Sequence, residues 1–147
     1  MENSVFANEV IKDVLKSFWD ERGKGARYRT TLVGLEYFQE KYQDSLIKND
    51  WRSTAEAVIE ALKKEQIISD ASLDESERVV KVYFKGCMLE NIDKKLLDSG
   101  MPIICCPCAN VVMHYVDKIF GKDSELVSSE MKEDGCEITL GVMGTKE

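Results

Sequence analysis

A chain of 147 residues, 44% of them hydrophobic and 32% charged, is long enough to fold around one buried core, so we predict a single domain over residues 1–147. The net charge of −7 argues against a nucleic-acid partner, because binding to phosphates requires clustered lysine and arginine. No segment reaches the roughly 18 apolar residues of a membrane span, and the N-terminus lacks the features of a signal peptide. These observations predict a cytoplasmic protein with no membrane partner.

The first third of the chain, residues 1–49, has the apolar spacing of helices. In "NEVIKDVLKSFWDERG" apolar residues recur every three or four positions, and a second helix is predicted from Tyr28 to Leu46. Between them, the glycine-containing basic cluster "ERGKGARYR" predicts a solvated loop. A third helix, "STAEAVIEALKKEQ", is predicted to open with a capping box made by Ser53 and Glu56.

The second part of the chain mixes strand and helix patterns. We predict strands at "IISD" and "ERVVKVYF" joined by a polar turn at "ASLDES", then a helix that ends at Gly100. A helix over "ANVVMHYVDKIFG" follows, and then strands from Glu125 to Lys132 and from Cys136 to Met143. The pattern predicts an α+β fold: N-terminal helices packed on an antiparallel sheet, with a cysteine-opened helix before a C-terminal hairpin.

The most informative chemical feature is the placement of the five cysteines, three of which lie within "PIICCPCANVVMHYV". An odd number in a cytoplasmic protein argues against a disulfide framework and favours a metal site or a reactive thiol. Pro107 suits the first turn of a helix and would place Cys108 near the positive end of the helix dipole, which stabilises a thiolate. Cys136 alternates with Ile138 and is predicted to point into the core.

Thiolates that converge from several element boundaries suit a soft metal ion. We therefore predict a zinc site, with an iron–sulfur cluster as the alternative if four thiolates meet. Cysteines that serve only as small buried apolar residues are the other interpretation. The candidate thiolate ligands are Cys87, Cys105, Cys106, Cys108 and Cys136.

Two further function classes remain as alternatives. In an enzyme, Cys108 would act as the nucleophile and His114, the only histidine, as its general base. An exposed histidine needs no such role, so we predict no catalytic residue and favour a non-enzymatic function. A helix followed by a hairpin over residues 51–82 has the outline of a DNA-binding module, but its many carboxylates would face phosphates.

Three stretches in residues 50–143 resemble one protein family. The strand ending "VYFKGC", the helix "PIICCPCANVVMHYVDKIFG" and the hairpin "ELVSSEMKEDGCEITL" together resemble the 4-vinyl-reductase domain family of small hydrocarbon-binding proteins. The resemblance implies an α+β domain that dimerises through its helices and binds small apolar or aromatic molecules, often as a sensory module. It also implies a bound zinc ion.

The family's metal pattern can be carried onto this chain residue by residue. The helix-opening cysteine of the family matches Cys105, Cys106 or Cys108, and the last hairpin cysteine matches Cys136. The family's glutamate matches Glu125, which makes it the one predicted carboxylate ligand. The other hairpin cysteine falls at Ser128, a poor zinc ligand, so Cys87 or the surplus cysteines are candidates for the missing thiolate.

The function predicted from the sequence is therefore a small-molecule-binding or sensory domain with a thiolate-rich metal site, acting as a homodimer. The thiazoline-carboxylate hydrolase-like family shows a similar cysteine–helix–hairpin order, and that resemblance implies a cysteine nucleophile instead. The predicted partner is a small apolar molecule. The candidate wall residues of its pocket are Tyr83, Phe84, Met88, Val112 and Tyr115.

Overall fold

The computed structural model describes residues 2–22, 34–76, 79–101, 106–121, 124–132 and 135–142. Helices lead the chain and strands end it, which confirms the predicted α+β fold with an antiparallel sheet. In these ranges the elements are α1 (Glu2–Arg22), α2 (Leu35–Tyr42), α3 (Trp51–Lys64), β1 (Asp70–Ser76), β2 (Val79–Lys85), α4 (Glu90–Asp98), α5 (Pro107–Phe120), β3 (Ser124–Met131) and β4 (Gly135–Val142). None of the helices in the described ranges has both the length and the apolar character that crossing a bilayer requires.

The four strands form one antiparallel sheet in the order β1-β2-β4-β3. Successive side chains of a strand point to opposite faces, so Val82 and Phe84 of β2 share the face covered by helices. Their partners across the ladder are Ile138 and Cys136 of β4. All four side chains are buried, which confirms the predicted inward orientation of Cys136.

Gly135 lies where β4 begins and runs very close to β2. A Cβ atom at this position would lie 2.2 Å from the carbonyl oxygen of Phe84 and 3.3 Å from the Cα of Lys85. Since the first of these distances is shorter than real Cβ contacts, this end of the ladder requires a residue without a side chain.

The helices pack on the sheet in two groups. Helices α2, α3 and α5 share the main core with the sheet, and the Tyr115 hydroxyl of α5 donates a hydrogen bond of 3.3 Å to the Phe38 carbonyl of α2. Helix α1 instead contributes Leu15, Phe18 and Trp19 to a smaller cluster with α4 and the residues around it. An ion pair between Glu9 and Lys95 adds to the α1–α4 contact.

The polar stretch "ASLDES", predicted as a turn, is strand β1, and the predicted strand at "IISD" was placed too early. Gln66 has a positive φ of 64°, so the chain turns before Asp70, where pairing with β2 begins. Ala71 and Leu73 point toward the core while their neighbours are exposed. An edge strand has only one partner and tolerates such polar residues, which explains why the strand pattern was weak.

Two helix boundaries also differ from the prediction. Helix α2 ends at Tyr42 rather than Leu46 because Gln43 takes a positive φ of 49°; the predicted start at Tyr28 lies outside the described residues. Helix α3 begins at Trp51, and its N-cap is Asp50, whose carboxylate accepts a hydrogen bond of 2.7 Å from the Ser53 N–H. Ser53 is therefore the donor to a cap and not the cap itself.

Candidate functional site

An apolar cavity of about 490 Å³ opens between the N-terminal helices and the start of α5. Its surface is almost wholly apolar, and two cysteines lie in its wall. Helices α1, α2 and α3 form one side, while the segment after β2 and the first turn of α5 form the other. The lining residues are Val10, Ile11, Val14, Leu15, Gly34, Tyr37, Phe38, Leu62, Ile67, Cys87, Met88, Leu89, Pro107, Cys108 and Val111.

The wall contributed by α1 follows from the helical repeat. Val10 and Val14 are four residues apart and therefore lie on one side of the helix, and Ile11 and Leu15 lie beside them. Val10 is 43% exposed and Val14 61% exposed, although both line the cavity. The cavity is therefore open to solvent along α1.

In the cavity wall, the residue before α2 and the start of α5 approach each other closely. Gly34 precedes α2 with a φ of +90°, a conformation that favours glycine. A Cβ atom at Gly34 would lie 3.0 Å from the Cβ of Pro107 at the start of α5. A side chain at position 34 would therefore strain the backbone and push the two helix starts apart.

Two pairs of thiols meet beside the cavity. Cys87 follows β2 and interacts with Cys108 in the first turn of α5, and both side chains line the cavity. Cys106 is the N-cap of α5, where its sulfur accepts a hydrogen bond of 3.4 Å from the Ala109 N–H, and its thiol interacts with Cys136 of β4. All four cysteines are free thiols.

The pKa values of Cys87, Cys106 and Cys108 are shifted in different directions. Hydrogen bonds from the Cys108 thiol and from the Leu89 N–H lower the pKa of Cys87 to about 7 against the opposing effect of burial. The hydrogen bond to Cys136 raises the pKa of Cys106 above its ordinary value, and the hydrogen bond to Cys87 does the same for Cys108. Burial adds to both shifts. Cys87 is therefore the member of its pair that carries negative charge near neutral pH.

Asp93 is a buried carboxyl group next to the first thiol pair. It lies on α4 with 7% of its surface exposed. Burial, with smaller contributions from the nearby charges of Cys87 and Glu90, raises its pKa to about 7. Sequence reasoning did not single out this residue, because nothing in the spacing of α4 distinguishes an inward aspartate from an outward one.

Some of the predicted metal ligands belong to the part of the chain that the structure describes, and others do not. Among the residues that the structure describes, no three histidine, cysteine, aspartate or glutamate side chains are arranged to hold a metal ion. Cys105 and the side chain of Glu125 lie outside the described residues. Ser128, which stands where the family has a cysteine, pairs with Thr139 beside an irregularity in the β3–β4 register.

The five predicted wall residues occupy three different environments. Met88 lines the cavity and is 55% exposed. Phe84, Val112 and Tyr115 are buried in the main core. Tyr83 is half-buried and points to the opposite face of the sheet from Phe84.

His114 is separated along α5 from Cys108, the thiol for which it was the candidate general base. It is six residues beyond Cys108, about 9 Å along the helix axis. Its Nε2 is 3.3 Å from the Gln39 Nε2, and its ring packs edge-on against Tyr115. Burial lowers the pKa of His114, and Lys118 lowers it further, so both favour the neutral ring.

A second groove, of about 420 Å³, runs between α3 and β1. Charged side chains of both signs line it, including Arg52, Glu56 and Asp70. Arg52 forms ion pairs with Glu56 at 3.8 Å and with Glu75 at 3.7 Å. These charges partly satisfy one another, so the groove is a weaker candidate for a ligand than the apolar cavity.

Comparison with known proteins shows similarity to solved structures but not to known sequences. No protein family model matches the chain, and no curated protein sequence matches it. Among solved structures, the fold is similar to the crystal structure of the phenol-responsive sensory domain of the transcription activator PoxR with phenol. The TM-score is 0.56 at 9% sequence identity, over 95% of this chain and 76% of that chain. At this identity the likeness establishes a shared fold.

Proposed function

We propose that this protein binds a small apolar or aromatic molecule in the cavity beside α1, as a ligand-binding or sensory domain. The observation that carries the proposal is the cavity itself, whose size of about 490 Å³ is typical of sites for small organic ligands. The fold shared with the phenol-responsive domain of PoxR supports it. So does the resemblance of residues 50–143 to small hydrocarbon-binding domains.

The chemistry of the wall defines the class of ligand. An apolar ligand gains roughly 25 cal/mol for each Å² of apolar surface removed from water. A charged ligand would lose its hydration, and no described lining residue offers a carboxylate, an ammonium or a guanidinium group in return. We therefore expect neutral compounds such as phenol, p-cresol and 4-phenylbutan-2-one to bind, and benzoate not to bind.

Isothermal titration calorimetry with these four compounds tests the proposal, and two matched variants locate the site. Val14 and Val5 lie on α1 with nearly equal exposure, 61% and 63%, but only Val14 lines the cavity. Val14→Asp puts a carboxylate into the apolar wall, and we expect it to weaken binding at least about tenfold. Val5→Asp is expected to change affinity by less than about twofold, as for other exposed positions. Equal effects of the two variants, or no binding by the wild type, would contradict the proposal.

Zinc binding remains a separate proposal. Two adjacent thiol pairs supply the soft donors that zinc prefers, and Cys105 and Glu125 are further candidate ligands from the sequence. Elemental analysis of purified protein, together with the absorption spectrum, is the test: zinc is colourless, whereas an iron–sulfur cluster absorbs in the visible range. Less than about a tenth of an equivalent of zinc or iron per chain would rule the metal out, because structural zinc binds tightly enough to remain on a protein during purification.

The homodimer implied by the family resemblance also remains a proposal. Exposed apolar side chains on two helices, Phe6 of α1 and Leu97 of α4, are candidates for the contact. A second copy of this chain that covered these residues would bury them, as expected for dimerisation through helices. Sedimentation equilibrium tests the proposal, with a monomer mass at all concentrations as the contradicting result.

A further inference from the structure

The apolar cavity has a thiol pair in its wall, and we propose that Cys87 captures apolar electrophiles there by forming a covalent bond. The class of ligand is the neutral α,β-unsaturated carbonyl compound. This inference rests on the proposed apolar binding site and adds a reaction to it.

The position of Cys87 suits a nucleophile. Its side chain is half-buried and lines the cavity, so a bound molecule reaches the sulfur without unfolding of the core. The Leu89 N–H donates a hydrogen bond of 3.4 Å to this sulfur, and the Cys108 thiol donates a second one. Both donors approach the sulfur that faces the cavity and hold it at the wall, where a bound electrophile is within reach of this nucleophile.

The rest of the wall selects the electrophile. Around the two sulfurs the lining is apolar, with Met88, Leu89 and Val111 close to them in sequence or along α5. A charged alkylating agent finds no partner here, whereas a neutral aryl ketone with a conjugated double bond buries its ring. Cys106 and Cys136, the other thiol pair, do not line the cavity and are not expected to react in this way.

The step is a conjugate addition and needs no oxidant or reductant. The Cys87 thiolate forms a carbon–sulfur bond to the β-carbon, and the π electrons of the double bond move through the α-carbon to the carbonyl oxygen. The Cys108 thiol, already a hydrogen-bond donor at the reacting sulfur, then supplies the proton that converts the enolate to the ketone. Water restores the proton of Cys108.

The test uses reduced, chelator-treated protein and two carbonyl compounds of nearly the same shape. 4-Phenylbut-3-en-2-one is the electrophile, and its saturated analogue 4-phenylbutan-2-one binds without reacting. We expect a saturable labelling rate, one adduct by intact-protein mass spectrometry, and an adduct on Cys87 by peptide mapping. The ratio of the enone rate to the acrylamide rate is measured for the protein and for glutathione. We expect this ratio to be at least about tenfold higher for the protein, because binding places the enone next to the sulfur.

Variants separate capture at the cavity from general thiol reactivity. Cys87→Ser should remove the adduct, Glu40→Gln, at an exposed position outside the cavity, should keep it, and Val14→Asp should slow the enone without slowing acrylamide. If Cys87→Ser does not fold, the peptide map of the wild-type adduct still assigns the residue.

The outcomes distinguish this inference from the proposed function. If the saturated ketone binds but the enone labels the cysteines evenly, or no faster than glutathione predicts, covalent capture is wrong while the binding function stands. If the saturated ketone does not bind and labelling is not saturable, both proposals are overturned.

Discussion

At the scale of single residues, Glu65 shows how one carboxylate joins two helices. It follows α3 and accepts hydrogen bonds of 2.7 Å from the hydroxyls of Tyr37 and Tyr42 on α2. The ammonium group of Lys41 lies 2.6 Å from the same carboxylate. Lys41 is the largest cause, and the two tyrosines add to it, in lowering the pKa of Glu65 from 4.5 to about 2. Since Tyr37 lines the cavity, Glu65 helps to position its wall.

This low pKa predicts that the contact between Glu65 and α2 stabilises the fold less at acidic pH. A carboxyl group whose pKa is lower in the folded than in the unfolded state stabilises the fold above its unfolded pKa and loses that effect as the pH falls. Glu65→Gln should therefore lower the thermal midpoint at pH 7, and its difference from the wild type should shrink as the pH falls from 4.5 toward 2. Circular dichroism melts across this range provide the measurement. Glu40→Gln, at an exposed position on α2, is the control. An equal effect of the two substitutions would contradict the stabilising role of Glu65.

Gly135 gives a second residue-scale prediction. Because a Cβ atom would lie 2.2 Å from the Phe84 carbonyl oxygen, Gly135→Ala must push β4 away from β2. We expect a loss of about 1–3 kcal/mol in the free energy of unfolding, the usual range for overpacking. Urea denaturation measures it, with the half-buried Ser129→Ala in β3 as the comparison. A loss below about 0.5 kcal/mol for Gly135→Ala would show that the strands separate freely here.

At the scale of elements, α1 is joined to the rest of the fold chiefly through α4. Phe18 packs on the cluster that contains Ile92 and Leu96. Phe18→Ala should loosen α1 and weaken ligand binding several-fold, while the free energy of global unfolding falls by less than about 1 kcal/mol, because local opening involves few core contacts. Hydrogen exchange of α1 and calorimetry with 4-phenylbutan-2-one provide the two measurements. Unchanged exchange in α1 together with unchanged affinity would contradict this role.

The elements also show where sequence patterns were sufficient. The strongly periodic segments, such as the helix that opens at Pro107 and ends at Gly121 and the strand that carries Cys136, were predicted within a residue or two. β1 was missed because alternation limited to Ala71 and Leu73 is easily taken for a turn. The start of α3 was misplaced because Asp50 and Ser53 are both good capping residues, and the choice between them depends on the preceding backbone.

At the scale of the whole molecule, stability depends on the centre of the sheet. Ile138 and Val82 face each other across β4 and β2, and both are fully buried. Ile138→Ala should lower the free energy of unfolding by about 2–5 kcal/mol, through lost burial and the cavity left behind. Guanidinium denaturation tests this value, and the exposed Val5→Ala should cost less than about 0.5 kcal/mol. A similar small loss at Ile138 would mean that the sheet centre repacks.

The candidate site was less predictable than the fold because a cavity depends on how elements distant in sequence pack together. The sequence did indicate that Cys108 opens a helix and that the cysteines cluster at element boundaries, and the structure brings four thiols together in pairs. It did not indicate that Val14 and Leu62 share a cavity, because they lie on helices far apart in sequence. Periodicity identifies the apolar side of each helix but not which helices leave space between them.

The open side of the cavity has a kinetic consequence. Four of its lining residues belong to α1, whose packing onto the molecule is chiefly with α4, whereas α2, α3 and α5 belong to the main core. A displacement of α1 away from α4 would therefore widen the existing opening and leave the sheet and its covering helices intact. A ligand too large for that opening then exchanges at the rate at which α1 moves, whereas a small ligand exchanges without that motion.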